Sequence, residues 1–180
     1  SVLIDHHLYP EPIADYVFSD TAASSTCELI YRFIVAMGDL SRINPSVGKC
    51  IFTGLVTDTG SFRYATNSEL FRICADLVER GTDDTAVQDM IFYSQKEKHL
   101  RLLGHCLANR MEYLPEFRTA FIWLSRKDYD QFNIQRGDTE GIVNYLLTIK
   151  DVRLAAFIHN QPNIVKISLR SKGDIDVQEI

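Results

Sequence analysis

Ile4-Asp5-His6-His7, set beside Thr57-Asp58-Thr59-Gly60-Ser61-Phe62-Arg63-Tyr64, decides how the rest of the chain is read. Asp5, His6 and His7 are consecutive ligand-type or acid–base side chains, directly after the apolar run Val2-Leu3-Ile4, which reads as the end of a strand. Strand ends are where α/β sheets present their ligand-binding loops. Asp58 closes an apolar helical pattern and falls on its oily side. A carboxylate buried without a cation, a strong donor set or a metal costs several kcal/mol. Imidazole and carboxylate together suit Mn, Fe or Zn. The expectation is that His6 and Asp58 meet in space at one metal-dependent phosphate site.

Working outward, Ser19-Asp20-Thr21 supplies cap chemistry for a helix expected over 22–37, with Cys27, Ile30, Tyr31, Ile34 and Val35 inward. Asn44-Pro45 is a helix start, and Val47, Cys50, Ile51, Gly54, Leu55 and Asp58 follow at helical spacing. Thr59-Gly60 ends that helix. Thr66-x-x-Glu69 reads as a capping box for the next one, which closes near Gly81, and a shorter helix spans about 84–93. Lys96 to Met111 reads as one longer helix with Leu100, Leu103, Cys106, Leu107 and Met111 on one side. After it the pattern changes to strands at 119–124, 152–159 and 164–170, with helical segments at 127–132 and 140–148. Asn160-Gln161-Pro162-Asn163 is a turn that makes the last two strands a hairpin.

The chain has 180 residues, 46% hydrophobic and 24% charged, as expected for a globular protein with one large core or two small ones. No apolar run reaches the ~20 residues a bilayer requires, and no signal-like segment opens the chain, so a cytoplasmic protein with no membrane partner is expected. The net charge of −5 argues against a broad footprint on long duplex nucleic acid but allows a short strand or nucleotide gripped by local cations. Cys27, Cys50, Cys74 and Cys106 are widely spaced, without a Cys-x-x-Cys, and read as buried free thiols. His99, His105 and His159 stand apart from one another and read as ordinary helix or strand-end residues.

Three stretches together carry a resemblance: Asp5-His6-His7 after its strand, Ala22-Ala23-Ser24-Ser25-Thr26 opening a helix, and Gly54-Leu55-Val56-Thr57-Asp58-Thr59-Gly60-Ser61-Phe62-Arg63. They resemble the DHH phosphoesterase superfamily. Val165-Lys166-Ile167-Ser168-Leu169-Arg170-Ser171-Lys172-Gly173 resembles its DHH-associated C-terminal domain. Among subfamilies the likeness is to the bifunctional oligoribonuclease (nanoRNase) and adenosine 3′,5′-bisphosphate (pAp) phosphatase type. The fold this implies is α/β: the C-terminal part of a parallel-sheet DHH domain over 1–95, a connector helix over 96–112, and a smaller α/β substrate-binding domain over 113–180.

The resemblance implies that His6 and Asp58 are metal ligands, that Asp5 orients His6, and that His7 faces the scissile phosphate. It implies that Arg170, Ser171 and Ser168 hold the nucleotide, with Arg63 as a second phosphate contact. On spacing alone, Lys166, Ser168 and Arg170 also fit a solvated strand face opposite Val165, Ile167 and Leu169. The implied cofactor is a pair of divalent metals, Mn²⁺ first, with Mg²⁺ or Co²⁺ as substitutes. The implied partners are a short oligoribonucleotide or small nucleotide, and a second copy of the chain in a homodimer.

The family's upstream Asp-x-Asp strand, its further Asp and its C-terminal glycine-rich His loop do not occur in these 180 residues. The resemblance is therefore to an internal piece of a longer phosphoesterase, which by itself would bind metal weakly and turn over nothing. Rival expectations are a cyclic-dinucleotide phosphodiesterase on the same domains, a single-strand exonuclease, and a non-catalytic nucleotide-binding module that has lost its metals.

Overall fold

Asn44 and Pro45 set the longest helix. The Asn44 side-chain oxygen accepts from the Ser46 and Val47 amides at 3.0 and 3.1 Å, and Pro45 takes the first helical position, where no amide donor is needed. The computed structural model describes residues 1–11, 13–161 and 164–177, and it divides into a first unit, residues 1–94, and a second, 95–180.

In the first unit, β1 (Val2–Asp5) pairs in parallel with β2 (Tyr16–Ser19), Val2 opposite Tyr16 and Asp5 opposite Ser19. Four helices follow: α1 (Thr26–Ala36), α2 (Pro45–Asp58), α3 (Ser68–Glu79) and α4 (Asp84–Phe92). Their shared core is Ile43, Ile51, Phe52, Leu55, Val56, Leu70, Ile73, Leu77 and Val87. The inward face of α2 is rotated from the expected stripe: Gly48, Ile51, Phe52, Leu55 and Val56 are buried, whereas Val47 and Cys50 are exposed. Gly48 and Gly54 mark its two closest approaches to other elements. A Cβ on Gly48 would sit 2.1 Å from Thr82 Oγ1, and one on Gly54 would sit 2.1 Å from Cys27 Sγ, so α2 meets its neighbours through its own backbone.

Helix starts also differ from the sequence reading. Ser25 caps α1 by accepting from the Glu28 amide, and the buried Glu28 carboxylate in turn accepts from the Ser24 amide and hydroxyl. Asp20 is engaged elsewhere, by Arg32 and the Ala22 amide, so α1 begins at Thr26 rather than near Ala22. Asn67, not Thr66, caps α3, accepting from the Leu70 amide at 2.8 Å.

The second unit holds a four-stranded sheet in the order β3 (Met111–Leu114), β4 (Thr119–Leu124), β5 (Leu154–Gln161), β6 (Ile164–Ser171). β4 and β5 run parallel, joined across α6 (Arg126–Phe132) and α7 (Ile142–Leu146), and β3 and β6 flank them antiparallel. The β5–β6 hairpin pairs Leu154 with Ser171 and Gln161 with Ile164, while Pro162 and Asn163 of the expected turn lie outside the described residues.

The stretch read as one helix from Lys96 is α5 (Glu97–His105), followed by a wider π-type turn over Cys106–Arg110, and Met111 is already strand. Arg110 is drawn to the Asp128 carboxylate and Met111 pairs with Ile122, so the helix yields to sheet pairing. The face of α5 is turned too: Leu102 is buried and Leu100 is exposed. Leu102 and Cys106 belong to the core formed by Ala120, Ile122, Leu124, Ile142, Val143, Leu146, Val152, Ala155 and Phe157. The described cysteines are all free thiols, but only Cys106 is fully buried; Cys27 and Cys74 are half-buried and Cys50 is exposed.

Candidate metal and phosphate site

β1 delivers Asp5 at its end, and His6 leaves the strand toward the C-terminus of α2. There His6 Nε2 lies 3.5 Å from Asp58 Oδ2. Two bonds of about 2.1 Å meeting at a right angle on one cation would place their donors about 3 Å apart, so this separation suits neighbouring ligands. The exposure of the pair is uneven, 18% for the His6 side chain and 45% for Asp58. Asp58 is thus not the buried carboxylate that its place in the apolar pattern suggested. It stands at the rim, because the turn of α2 that buries Leu55 and Val56 carries position 58 outward.

Asp5 serves a different histidine from the one expected. Its Oδ1 accepts from the His7 ring Nδ1 at 2.7 Å and from the His7 amide at 3.3 Å. These bonds hold the Asp5 carboxyl below the ordinary carboxylate range, the ring bond contributing most. With Nδ1 engaged, His7 keeps Nε2 for a ligand, on a side chain that is 74% exposed. The His6 and His7 ring centroids are 4.5 Å apart. One strand end therefore presents two imidazoles with separate tasks, one aimed at Asp58 and one fixed by Asp5.

The floor of this corner is a strained turn that sequence reasoning passed over. Gly60, Ser61 and Phe62 are all left-handed, with φ of 56°, 60° and 62°. Two of them carry side chains that resist that conformation, which is a cost normally met only where surrounding contacts enforce it. Thr59 does the enforcing. Fully buried, its hydroxyl donates to the Leu55 carbonyl at 2.6 Å and accepts from the Phe62 amide at 2.9 Å, and its carbonyl accepts from Arg63 and Tyr64. Phe62 is also pinned between Phe52 and Phe71, at ring distances of 6.1 and 5.7 Å. The available signal was a threonine four positions after the buried Leu55, on the inner face of the helix, hidden because Thr59-Gly60 reads first as a helix stop. Beyond the turn, Arg63 lies exposed with its guanidinium 5.5 Å from the Tyr64 ring centre.

Among the residues expected to hold nucleotide in the second unit, Arg170 is exposed, and its Nη1 donates to the Leu169 carbonyl. Ser168 is half-buried opposite Phe157. The Ser171 hydroxyl, expected to help hold nucleotide, already donates to the Ile175 carbonyl at 2.6 Å, which leaves its oxygen as an acceptor only. The other histidines are each partnered: His99 with Asp138 at 2.7 Å, His105 with Asp128 at 2.8 Å, and His159 with the Tyr129 hydroxyl. Asp128 also accepts from Arg110 and caps α6 through Ser125, so that network ties elements together.

Among the described residues, no group of three or more His, Cys, Asp or Glu side chains is arranged to hold a metal ion. His6 and Asp58 fit as part of a coordination sphere and supply two donors to it.

No family model matches the chain. It is 37% identical to the crystal structure of an exopolyphosphatase-related protein from Bacteroides fragilis, with a TM-score of 0.95 over 99% of this chain and 52% of that one. It is also 24% identical to the bifunctional oligoribonuclease and PAP phosphatase NrnA of Bacillus subtilis, over 96% of this chain and 55% of that protein. Over nearly its whole length the chain is similar to proteins of the DHH phosphoesterase family. A further relative is the cyclic-di-AMP phosphodiesterase GdpP of Geobacillus thermodenitrificans, 28% identical over 99% of this chain and 27% of that protein. The chain spans about half the length of its Bacillus and Bacteroides relatives. No helix among its described residues is long and apolar enough to cross a membrane.

Proposed function

We propose that this chain is part of a metal-dependent phosphoesterase of the DHH superfamily that cleaves short oligoribonucleotides to mononucleotides and adenosine 3′,5′-bisphosphate to AMP. The observation that carries the reading is the 3.5 Å approach of His6 Nε2 to Asp58 Oδ2, with His7 held alongside by Asp5. His6 and Asp58 would contribute to holding divalent metal, Mn²⁺ by preference and Mg²⁺ or Co²⁺ as substitutes. When bound, such metals acidify a water and neutralise phosphate oxygens. The chain's own residues do the rest. Asp5 fixes the His7 ring so that Nε2 faces solvent, where it can hydrogen-bond the substrate phosphate or pass a proton to the leaving oxygen. Arg63 and Arg170 offer planar forks for phosphate oxygens, and Ser168, two residues before Arg170 on the same strand face, adds a hydroxyl, whereas Ser171 would take part only by giving up its bond to the Ile175 carbonyl.

The test is hydrolysis by the full-length gene product with Mn²⁺ present. AMP should appear from adenosine 3′,5′-bisphosphate, and mononucleotides from a trinucleotide. Release of neither would overturn the proposal. The GdpP relative supports a second reading, cleavage of a cyclic dinucleotide. A parallel assay with cyclic and linear dinucleotides separates the two: the proposal requires faster turnover of the linear one.

A further inference from the structure

The second unit carries a cluster of positive charge that the proposed phosphate chemistry does not use. A cavity of about 470 Å³ is lined by Tyr113, Pro115, Arg118, Lys150, Asp151 and Arg153. Three cations thus face one carboxylate there, on a chain whose net charge is −5. Arg153 is partly neutralised by Asp174, but the Arg118 and Lys150 side chains have no hydrogen-bond or ion-pair partner among the described residues.

The backbone holds this arrangement at a cost. Arg118 is left-handed, φ 49° and ψ 37°, at the turn from β3 into β4, a position that glycine or asparagine fills with less strain. Its carbonyl accepts from the Arg153 and Leu154 amides at 2.7 and 3.3 Å, which locks the turn onto the start of β5. Arg118 and Arg153 are therefore fixed beside one another at the same end of the sheet. Lys150 reaches the cavity from the turn after α7. Like charges gathered on a strained turn lower in energy when an anion sits among them. Tyr113 lines the same cavity and Phe117, in the same turn, is 72% exposed. Cations with adjoining aromatic faces are the pairing that grips single strands, phosphates on the charges and bases on the rings.

We propose that this cavity is a phosphate-binding subsite for the backbone of a short single-stranded oligonucleotide, formed by Arg118, Lys150 and Arg153 with Tyr113 as a stacking face. This rests on the oligonucleotide reading above, and it adds a grip remote in sequence from His6 and Asp58.

The test is binding of a fluorescent pentaadenylate to the 180-residue chain in chelator-containing buffer, where no metal-dependent turnover takes place. A failure of the hydrolysis assay and a failure here are thereby read separately. The doubly substituted Arg118→Ala, Lys150→Ala chain should bind at least tenfold more weakly. The slope of log affinity against log salt should become shallower by about 1.4, as loss of two phosphate contacts on a single strand requires. Arg118→Lys should recover most of the loss, and an unchanged far-ultraviolet spectrum shows that these exposed positions leave the fold alone. Tyr113→Ala should weaken pentaadenylate binding while leaving the weaker binding of inorganic triphosphate unaffected. The proposal is overturned if the parent chain does not bind pentaadenylate, or if the double variant binds it as the parent does. Equal affinity for triphosphate and pentaadenylate, with no effect of Tyr113→Ala, would also overturn it.

Discussion

His6 and Asp58 lie 52 positions apart in the chain yet 3.5 Å apart in space, and the roles proposed for His6 and His7 separate by experiment. His6→Ala removes a donor from the proposed metal site, so the Mn²⁺ concentration for half-maximal activity should rise at least tenfold and activity should fall about a hundredfold. His7→Ala should lower turnover by a similar factor while leaving the Mn²⁺ requirement close to that of the parent, because His7 is tied to Asp5 rather than to Asp58. A Mn²⁺ titration of hydrolysis in both variants checks the pair. Parallel shifts in Mn²⁺ requirement would mean that the two rings share one task. Beneath them Thr59 is the residue on which the turn depends. Thr59→Val keeps the shape but deletes the hydroxyl that bridges the Leu55 carbonyl and the Phe62 amide. Leaving the buried amide without its acceptor should cost about 1–3 kcal/mol in denaturant-monitored stability.

The elements were legible in the sequence where one local signal determined them, and not where backbone contact did. Asn44-Pro45 marked the start of α2, and the apolar stretch at 119–124 matches β4, in which Ala120, Ile122 and Leu124 form the buried face. His6 and Asp58 were legible as a pair because one directly follows a strand and the other ends a helix. β2 escaped notice because Tyr16-Val17-Phe18 is too short to show alternation, and β3 because its residues continue an apolar helical pattern that only pairing with β4 interrupts. The face of α2 was misjudged because Gly48 leaves no hydrophobic mark; Gly54, on the expected stripe, is where α2 takes the Cys27 sulfur. The cost of filling that contact is measurable. A methyl group added at Gly54 would meet Cys27 Sγ at 2.1 Å and its Cβ at 2.8 Å, too close for a side-chain adjustment alone. Gly54→Ala should destabilise the chain by about 1–3 kcal/mol despite alanine's better helix propensity. Adding Cys27→Ala should recover part of the loss, and urea denaturation of the single and double variants measures it. A stabilised Gly54→Ala chain would show that α1 and α2 do not approach as described.

For the chain as a whole, each unit has a core of its own, and Trp123 on β4 is the only tryptophan, so its fluorescence reports on the second unit. Among the groups there that make stability depend on pH, His159 and Asp138 act in separate windows. His159 is buried, its ring accepting from the Tyr129 hydroxyl, and burial, with Lys166 nearby, pushes its pKa below the ordinary histidine value. The folded state thus resists a proton that the unfolded chain accepts, so this stabilisation is present above the unfolded value of about 6.5 and declines as pH falls below it. Asp138 is the opposite case. It accepts from Lys98, His99 and the Gln135 amide, and those bonds outweigh its burial and hold it at about 2. Its contribution is present above the unfolded carboxylate value of about 3.9 and is lost as pH falls toward 2. The thermal midpoint read from Trp123 should therefore fall between pH 7 and 5, and fall again between about pH 4 and 2. His159→Gln, which keeps an acceptor for Tyr129, should flatten the first decline only, and Asp138→Asn should shrink only the second, the remainder coming from Asp128, whose carboxyl is held, against its burial, well below the ordinary range by Arg110, Ser125 and His105. Loss of both declines in either variant would mean that one coupled network, rather than two independent groups, sets the acid stability of this unit.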